Sequence, residues 1–227
     1  VLDLAAGGEA ERITSLSTGA GAPKWSPDGS KLLFVSSVYP DAADDEANKK
    51  AAKERKDRKY NARAYEQFPA RFWMSWRDDK RAHLFVQEAK AGAVARDLLA
   101  GTKLAATTGF GGTLGNSGES LEAEWAPDGA AIVFTGVMNR HDGAFANVNT
   151  QIFSVPAAGG EPSRLTNDAH SYGSLAFSPD GKTLLCSYSA EQAGKVYDLT
   201  RLASFPWPLK SAAKILTASL DRSVSRF

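Results

Sequence analysis

Serine, histidine and acidic residues are the types from which hydrolytic sites are built. In this chain of 227 residues their spacing does not build one. A nucleophilic serine on a strand-to-helix elbow needs Gly-x-Ser-x-Gly. The nearest string, "GNSGES" at 115–120, lacks that spacing and sits in a glycine-rich loop with no strand–helix context. Of the three histidines, His83 opens a predicted strand, while His141 and His170 fall in predicted loops. None has a nearby cysteine or a spacing that suggests a metal site. The single cysteine, Cys186, lies in a predicted strand and reads as a packing residue. No catalytic residue, metal ligand or cofactor site is therefore assigned. Two segments concentrate the remaining candidate polar side chains: "YEQFPARFWMSW" at 65–76, with Glu66 and Arg71, and "MNRHDG" at 138–143, with Asn139, Arg140 and His141.

The elements that must position them are repeated. "KWSPDGSKLLF" at 24–34 returns as "EWAPDGAAIVF" at 124–134 and "AFSPDGKTLLC" at 176–186. Proline pre-sets φ for a turn, aspartate can bond its own backbone, and glycine supplies a positive φ. The phrase therefore predicts a β-hairpin whose second strand is Leu32–Val35, Ile132–Phe134 or Leu184–Leu185. Gly29, Gly129 and Gly181 are expected at the left-handed turn position. A second phrase, "GGEAERIT" at 7–14, returns as "GGEPSRLT" at 159–166, each after an alternating strand. Thr14 to Trp25 and Thr166 to Phe177 are both eleven residues. "HLFVQEAKAGAVARDLLAG" at 83–101 reads as a degenerate strand–turn–strand copy, and "KVYDLTRLAS" with "AAKILT" as another.

The unit is four strands in about fifty residues, the period of a β-propeller blade. The fold expected is all-β, a portion of a propeller with four-stranded antiparallel blades at 25–102, 120–166 and 172–217. Residues 1–14 read as the tail of a preceding blade and 221–227 as the start of a following one. A β-sandwich is the alternative, but it does not require the same phrase at the same place in every unit. Three blades and two partial ones do not close a ring, so the chain reads as part of something longer.

At 43% hydrophobic and 10% aromatic residues the chain can bury a core. A net charge of +1 gives no signal for nucleic acid or an anionic membrane. No apolar stretch is long enough to span a bilayer. One cysteine excludes a disulfide within the chain; this favours a reducing compartment without excluding the periplasm.

The two repeated phrases resemble the propeller repeats of TolB and of the prolyl oligopeptidase family of serine peptidases. "FPARFWMSWRDDKRAHLFV" at 68–86 resembles the tryptophan-rich stretch of bacterial dipeptidyl-peptidase and acylaminoacyl-peptidase relatives. "NTQIFSVPAAGGEPSRLT" at 149–166 resembles the matching stretch one blade on, and "DRSVSRF" the approach to the next tryptophan strand. The resemblance spans nearly the whole chain. It implies a non-catalytic propeller that caps a C-terminal α/β-hydrolase domain, a partner absent from this sequence, and restricts access to short peptides. It also implies a periplasmic or secreted location, with a homo-oligomer open and nucleic acid not expected as a partner. The other reading is a TolB-like propeller that binds a protein partner and carries no enzyme.

An insert at 39–80 interrupts the first unit. "DAADDEANKKAAKERKDRKYNARAYEQ" is alanine-rich and charged, and Asp45–Lys49, Glu46–Lys50 and Glu54–Arg58 are i,i+4 pairs with the acid first. They predict a helix over 44–64, either a solvated arm or a flap over a cavity. Trp73 and Trp76 are expected in the core. In aminopeptidases of the family, polar propeller residues can meet the substrate's free amino terminus, which a carboxylate holds by a charge-assisted hydrogen bond. Glu66 and Arg71 are candidates by that resemblance, although neither falls on a family motif. Asn139, Arg140 and His141, in the corresponding loop of the next unit, are candidates on the same footing.

Overall fold

The Pro-Asp-Gly phrase folds the same way three times in the computed structural model of the chain. The carbonyls of Ser26, Ala126 and Ser178 accept from the N–H groups of Gly29, Gly129 and Gly181 at 2.9, 2.8 and 2.8 Å. The glycines have φ of 71°, 68° and 69°, a region that a side chain resists. Oδ1 of Asp28, Asp128 and Asp180 accepts from the N–H two residues on, at 3.0 Å each time. Ser26 and Ser178 add a second tier. Each hydroxyl donates to the turn aspartate at 2.6 Å. Each also accepts from the first residue of the next strand, at 2.8 Å from Lys31 and 3.0 Å from Thr183.

The structure describes all residues except Asp3, Ala6, Asn61, Arg63, 66–69, Trp73, Asp78, Asn116, Ser117, Ala144, Phe145, 192–197 and Arg226; the side chains of Arg71, Phe72 and Ser75 are also outside it. The chain runs β1 (Gly21–Trp25), β2 (Lys31–Val38), α1 (Asp45–Lys56), β3 (Arg71–Phe72), β4 (Ser75–Trp76), β5 (Arg81–Glu88) and β6 (Arg96–Asp97). It continues through α2 (Lys103–Ala106), β7 (Thr113–Gly115), β8 (Gly118–Ser120), β9 (Ala123–Trp125), β10 (Ala131–Val137) and a 3-10 turn at Arg140–Asp142. The remaining strands are β11 (Thr150–Pro156), β12 (Ser163–Arg164), β13 (Ser171–Phe177), β14 (Thr183–Ser189), β15 (Arg201–Pro206) and β16 (Lys214–Ile215). They form three four-stranded antiparallel sheets, β1-β2-β5-β6, β9-β10-β11-β12 and β13-β14-β15-β16, each a meander in sequence order. Two small hairpins, β3-β4 and β7-β8, stand beside them.

The second strand of each sheet carries an apolar run, Leu32–Val35, Ile132–Phe134 and Leu184–Cys186, and in the middle sheet both faces of that run meet a neighbouring sheet. Ile132 and Phe134 of β10 pack toward the first sheet, with Leu33, Leu84 and Trp125. Val133 of the same strand packs the other way, with Ile152, Tyr172, Leu184 and Cys186. Phe134 sits opposite Phe153 across the β10–β11 ladder, with ring centroids 5.4 Å apart. Cys186 is fully buried and burial pushes its thiol up to about 12, in keeping with a packing residue. Trp125 Nε1 donates to the Lys24 carbonyl at 3.2 Å, fastening the second sheet to the first.

Two local expectations, the end of the helix and the burial of Trp76, are corrected. The helix stops at Lys56, well before residue 64. Asp44 caps it by accepting from Ala47 N–H at 2.8 Å, and Lys49 reaches Asp45 at 3.1 Å, but Lys50 turns to Glu54 instead of Glu46. Asn48 is its only buried residue, so surface pairs carry the helix and nothing apolar extends it. Residues 1–14 make no strand among the described residues. Glu11 N–H donates to the Val1 carbonyl at 2.7 Å, and the Val1 amino group donates back to the Glu11 carbonyl at 2.7 Å. Residues 221–227 likewise form no strand, and Val224 N–H reaches the Thr200 carbonyl at 2.9 Å. Trp76 is 59% exposed, stacked on Tyr65 outside the core, while Trp73 lies outside the described residues.

Candidate functional site

Antiparallel pairing sorts the connections to the two ends of the sheets. The Pro-Asp-Gly turns lie at one end. At the other lie the insert after β2, the β7–β8 hairpin before β9, and the loop at 138–149 after β10. These three excursions therefore converge at one end.

Their meeting point is Glu119. It sits in the middle of β8, with its side chain only 3% exposed. One carboxylate oxygen accepts from Arg140 Nη1 at 2.8 Å and from Arg77 Nη2 at 3.2 Å. The other accepts from Ala82 N–H at 3.2 Å, at the start of β5. The insert, the first sheet and the second-sheet loop are thus tied through one carboxylate. Arg81, the first residue of β5, lies alongside and donates to the carbonyls of Asp79 at 3.3 Å and Lys80 at 3.0 Å.

Glycines let these groups approach. A Cβ at Gly112 would stand 2.1 Å from the Ser120 carbonyl oxygen, and one at Gly111 would stand 3.1 Å from the Arg140 side chain. Only a bare backbone fits under the hairpin that presents Glu119. At Gly109, φ is +87° and a Cβ would meet both the Met138 carbonyl and the His141 ring at 2.5 Å.

Three arginines around one glutamate leave an excess of positive charge in a partly dry place. Burial, and then the charge of Arg140, push Arg77 down from its ordinary value. The same two causes push Arg81 down to about 10, with Glu119 pulling the other way. A shift in that direction means the neighbourhood favours losing a cation or gaining an anion.

The five sequence candidates are placed as follows. Arg140 is 4% exposed and points inward onto Glu119. Asn139 donates to the Asn147 carbonyl at 3.0 Å, closing its own loop. His141 packs over Gly109 with Nε2 3.3 Å from Asp142. Arg71 stands in β3 opposite Trp76, its side chain outside the described part, and Glu66 lies outside the described residues altogether. Glu119, Arg77 and Arg81 were not singled out from the sequence. The usable signal was the glycine run at 109–115, where close backbone approach is cheap.

His83 and Asp97 form a second polar pair, Nδ1 to Oδ2 2.8 Å, across β5 and β6. Asp97 also accepts from Leu99 and Ala100 N–H at 2.8 and 3.0 Å, so the pair closes the outer edge of the first sheet. No group of three or more metal-ligating side chains converges among the described residues. Nor is any helix among them long and apolar enough to cross a membrane.

No family model and no curated protein matches the chain. Solved structures do. TolB from Acinetobacter baumannii matches over 95% of this chain and 36% of its own, at 19% identity and a TM-score of 0.52. The acylaminoacyl peptidase of Pyrococcus horikoshii matches over 99% of this chain and 29% of its own, at 15% identity and a TM-score of 0.60. The chain spans about a third of the length of either structure. The three sheets are therefore blades of a β-propeller portion, in the fold shared by TolB and the acylaminoacyl peptidase.

Proposed function

We propose that the chain is a non-catalytic propeller portion of a serine exopeptidase, of dipeptidyl-peptidase or acylaminoacyl-peptidase type. In this reading it caps an α/β-hydrolase domain of the same parent and admits only short peptides. The observation that carries it is the asymmetry of the blades: the insert, the β7–β8 hairpin and the loop at 138–149 lie at one strand end, tied together at Glu119. The propeller contributes a wall and a filter, and exclusion by size needs no nucleophile in the wall. Glu66, Arg71, Asn139 and His141 are the polar groups that would meet the peptide, and Arg140 would act by holding Glu119. A periplasmic or secreted location goes with this reading.

The test is made on the complete parent. It should hydrolyse dipeptidyl or acyl-aminoacyl amides, and this chain alone should hydrolyse neither. A parent that ends soon after its blades, with no hydrolase domain and no such activity, would overturn the reading. It would favour instead a TolB-like module with a protein partner, which the TolB likeness supports.

A further inference from the structure

A cavity of about 480 Å³ lies within the insert, between the end of α1 and the β3–β4 region. Arg55, Lys56, Arg58 and Arg77 are the cations among its described lining residues. Asp79 is the one acid among its described lining residues, and Arg55 already holds it at 2.9 Å. The chain as a whole is nearly neutral, so this concentration of positive charge is local. The remaining walls are aromatic. Tyr65 and Trp76 stack with centroids 5.9 Å apart, and Tyr60 lies beneath the Arg58 guanidinium at 5.8 Å. Tyr60 and Trp76 are 63% and 59% exposed, rings left in water beside cations.

Arg77 connects this cavity to the buried cluster. It lines the cavity and also donates to Glu119, with its side chain 11% exposed. It shares that carboxylate with Arg140. An anion arriving at Arg77 would relieve crowding between cations in a region of low dielectric. Guanidinium groups suit a carboxylate because their N–H fork matches its two oxygens. The neighbouring rings suit an apolar or aromatic side chain one bond away from that carboxylate.

We propose that this cavity takes the carboxylate end of a short peptide, with the carboxylate on Arg77 and Arg58 and the terminal side chain against Tyr60 and Trp76. The identity of the anion as a peptide terminus rests on the exopeptidase reading above; the preference for an anion rests on the cavity alone. A nucleic acid fits less well, because the cations gather around one small cavity and form no stripe along the surface.

The experiment measures binding to the chain itself, by calorimetry and tryptophan fluorescence, so its outcome is separate from whether the parent is a peptidase. The probes are a tetrapeptide ending in phenylalanine with a free carboxylate, the same peptide as its C-terminal amide, inorganic phosphate, and a single-stranded oligonucleotide. The free acid should bind at least about ten-fold more tightly than the amide, as loss of a charge-assisted bond requires. Arg58→Gln, on an exposed residue, should weaken the free acid several-fold, and Arg77→Gln should weaken it further. Equal binding of acid and amide, no binding of either, or an unchanged affinity in a folded Arg58→Gln chain would overturn the proposal. So would phosphate or the oligonucleotide displacing the peptide at lower concentration than the peptide itself requires.

Discussion

At one end of the blades, three turns with the same backbone bonds stand in water. At the other end, a glutamate is buried under arginines from two excursions. The first end is built from local chemistry, and each turn is complete within six residues. The second is built from contacts between segments far apart in the chain: Arg77 and Arg140 meet on Glu119 from opposite directions. Repetition marks what every blade needs. Departure from repetition marks where the molecule has spent residues on something else.

The largest effect should come from Glu119→Gln, which would break that contrast. Arg140 would stay buried at 4% exposure with a neutral partner, and Arg77 would lose its carboxylate as well. Removing one member of a buried ion pair costs about 3–5 kcal/mol. Thermal unfolding should show a loss of that order. Glu119→Gln unfolding within about 0.5 kcal/mol of the native chain would mean that the cluster is solvated and carries no such charge crowding.

At the turn end the effects should be smaller and graded by blade. A side chain at Gly129 or Gly181 is forced into the left-handed region, at about 1–3 kcal/mol. The two sites differ in space. A Cβ at Gly129 would stand 3.7 Å from Pro27, an ordinary contact, whereas one at Gly181 would stand 2.8 Å from Pro127. Gly181→Ala should therefore cost about 1 kcal/mol more than Gly129→Ala, the price of overpacking. Chemical denaturation of the two variants decides it; equal losses would mean that the stacked prolines yield freely.

These two ends also differ in how far they could be read from the sequence. The turns were legible because proline, aspartate and glycine act on their own backbone, and Gly29, Gly129 and Gly181 took the positive φ expected of them. The buried strands were legible because Ile132–Phe134 and Leu184–Leu185 have no polar residue to face water. The site was not. Glu119 sits in "GNSGES", a string that reads as a failed nucleophile motif, and its partners lie 42 and 21 residues away. Nothing in the spacing announces such a meeting, because it depends on where the sheets place their ends. Arg140 was singled out from the sequence, but its contact with Glu119 was not foreseen. The helix end was missed for a related reason: pairing on a surface does not say where packing stops, and only Asn48 of α1 is buried.

Among the three turns, the second lacks the hydroxyl of the other two. Ala126→Ser should let the new hydroxyl donate to Asp128 and accept from Ala131 N–H, as Ser26 and Ser178 do in their own turns. Two partly exposed bonds should add about 0.5–1 kcal/mol. A variant no more stable than the parent would show that the turns are less interchangeable than their backbone bonds imply.

The smallest effect is in the titration of Asp28, and it tests whether the serine tier carries electrostatic weight. The Ser26 hydroxyl donates to Asp28 at 2.6 Å, and Ser30 adds its N–H at 3.0 Å and its own hydroxyl at 2.8 Å. These bonds favour the ionised carboxylate and hold its pKa near 2, below its ordinary 3.8, with the Ser26 bond the largest cause. The folded value is depressed, so the contribution to stability is present in full above 3.8. It is lost as pH falls toward about 2. The group is fully exposed, so the loss should be slight in an unfolding curve and clear in a carboxyl titration followed by nuclear magnetic resonance. Ser26→Ala should move the Asp28 midpoint up toward 3.8, with the Ser30 bonds keeping it from arriving. If the midpoint does not move, the hydroxyl shapes the turn without stabilising its charge, and the difference between the second blade and its neighbours is steric alone.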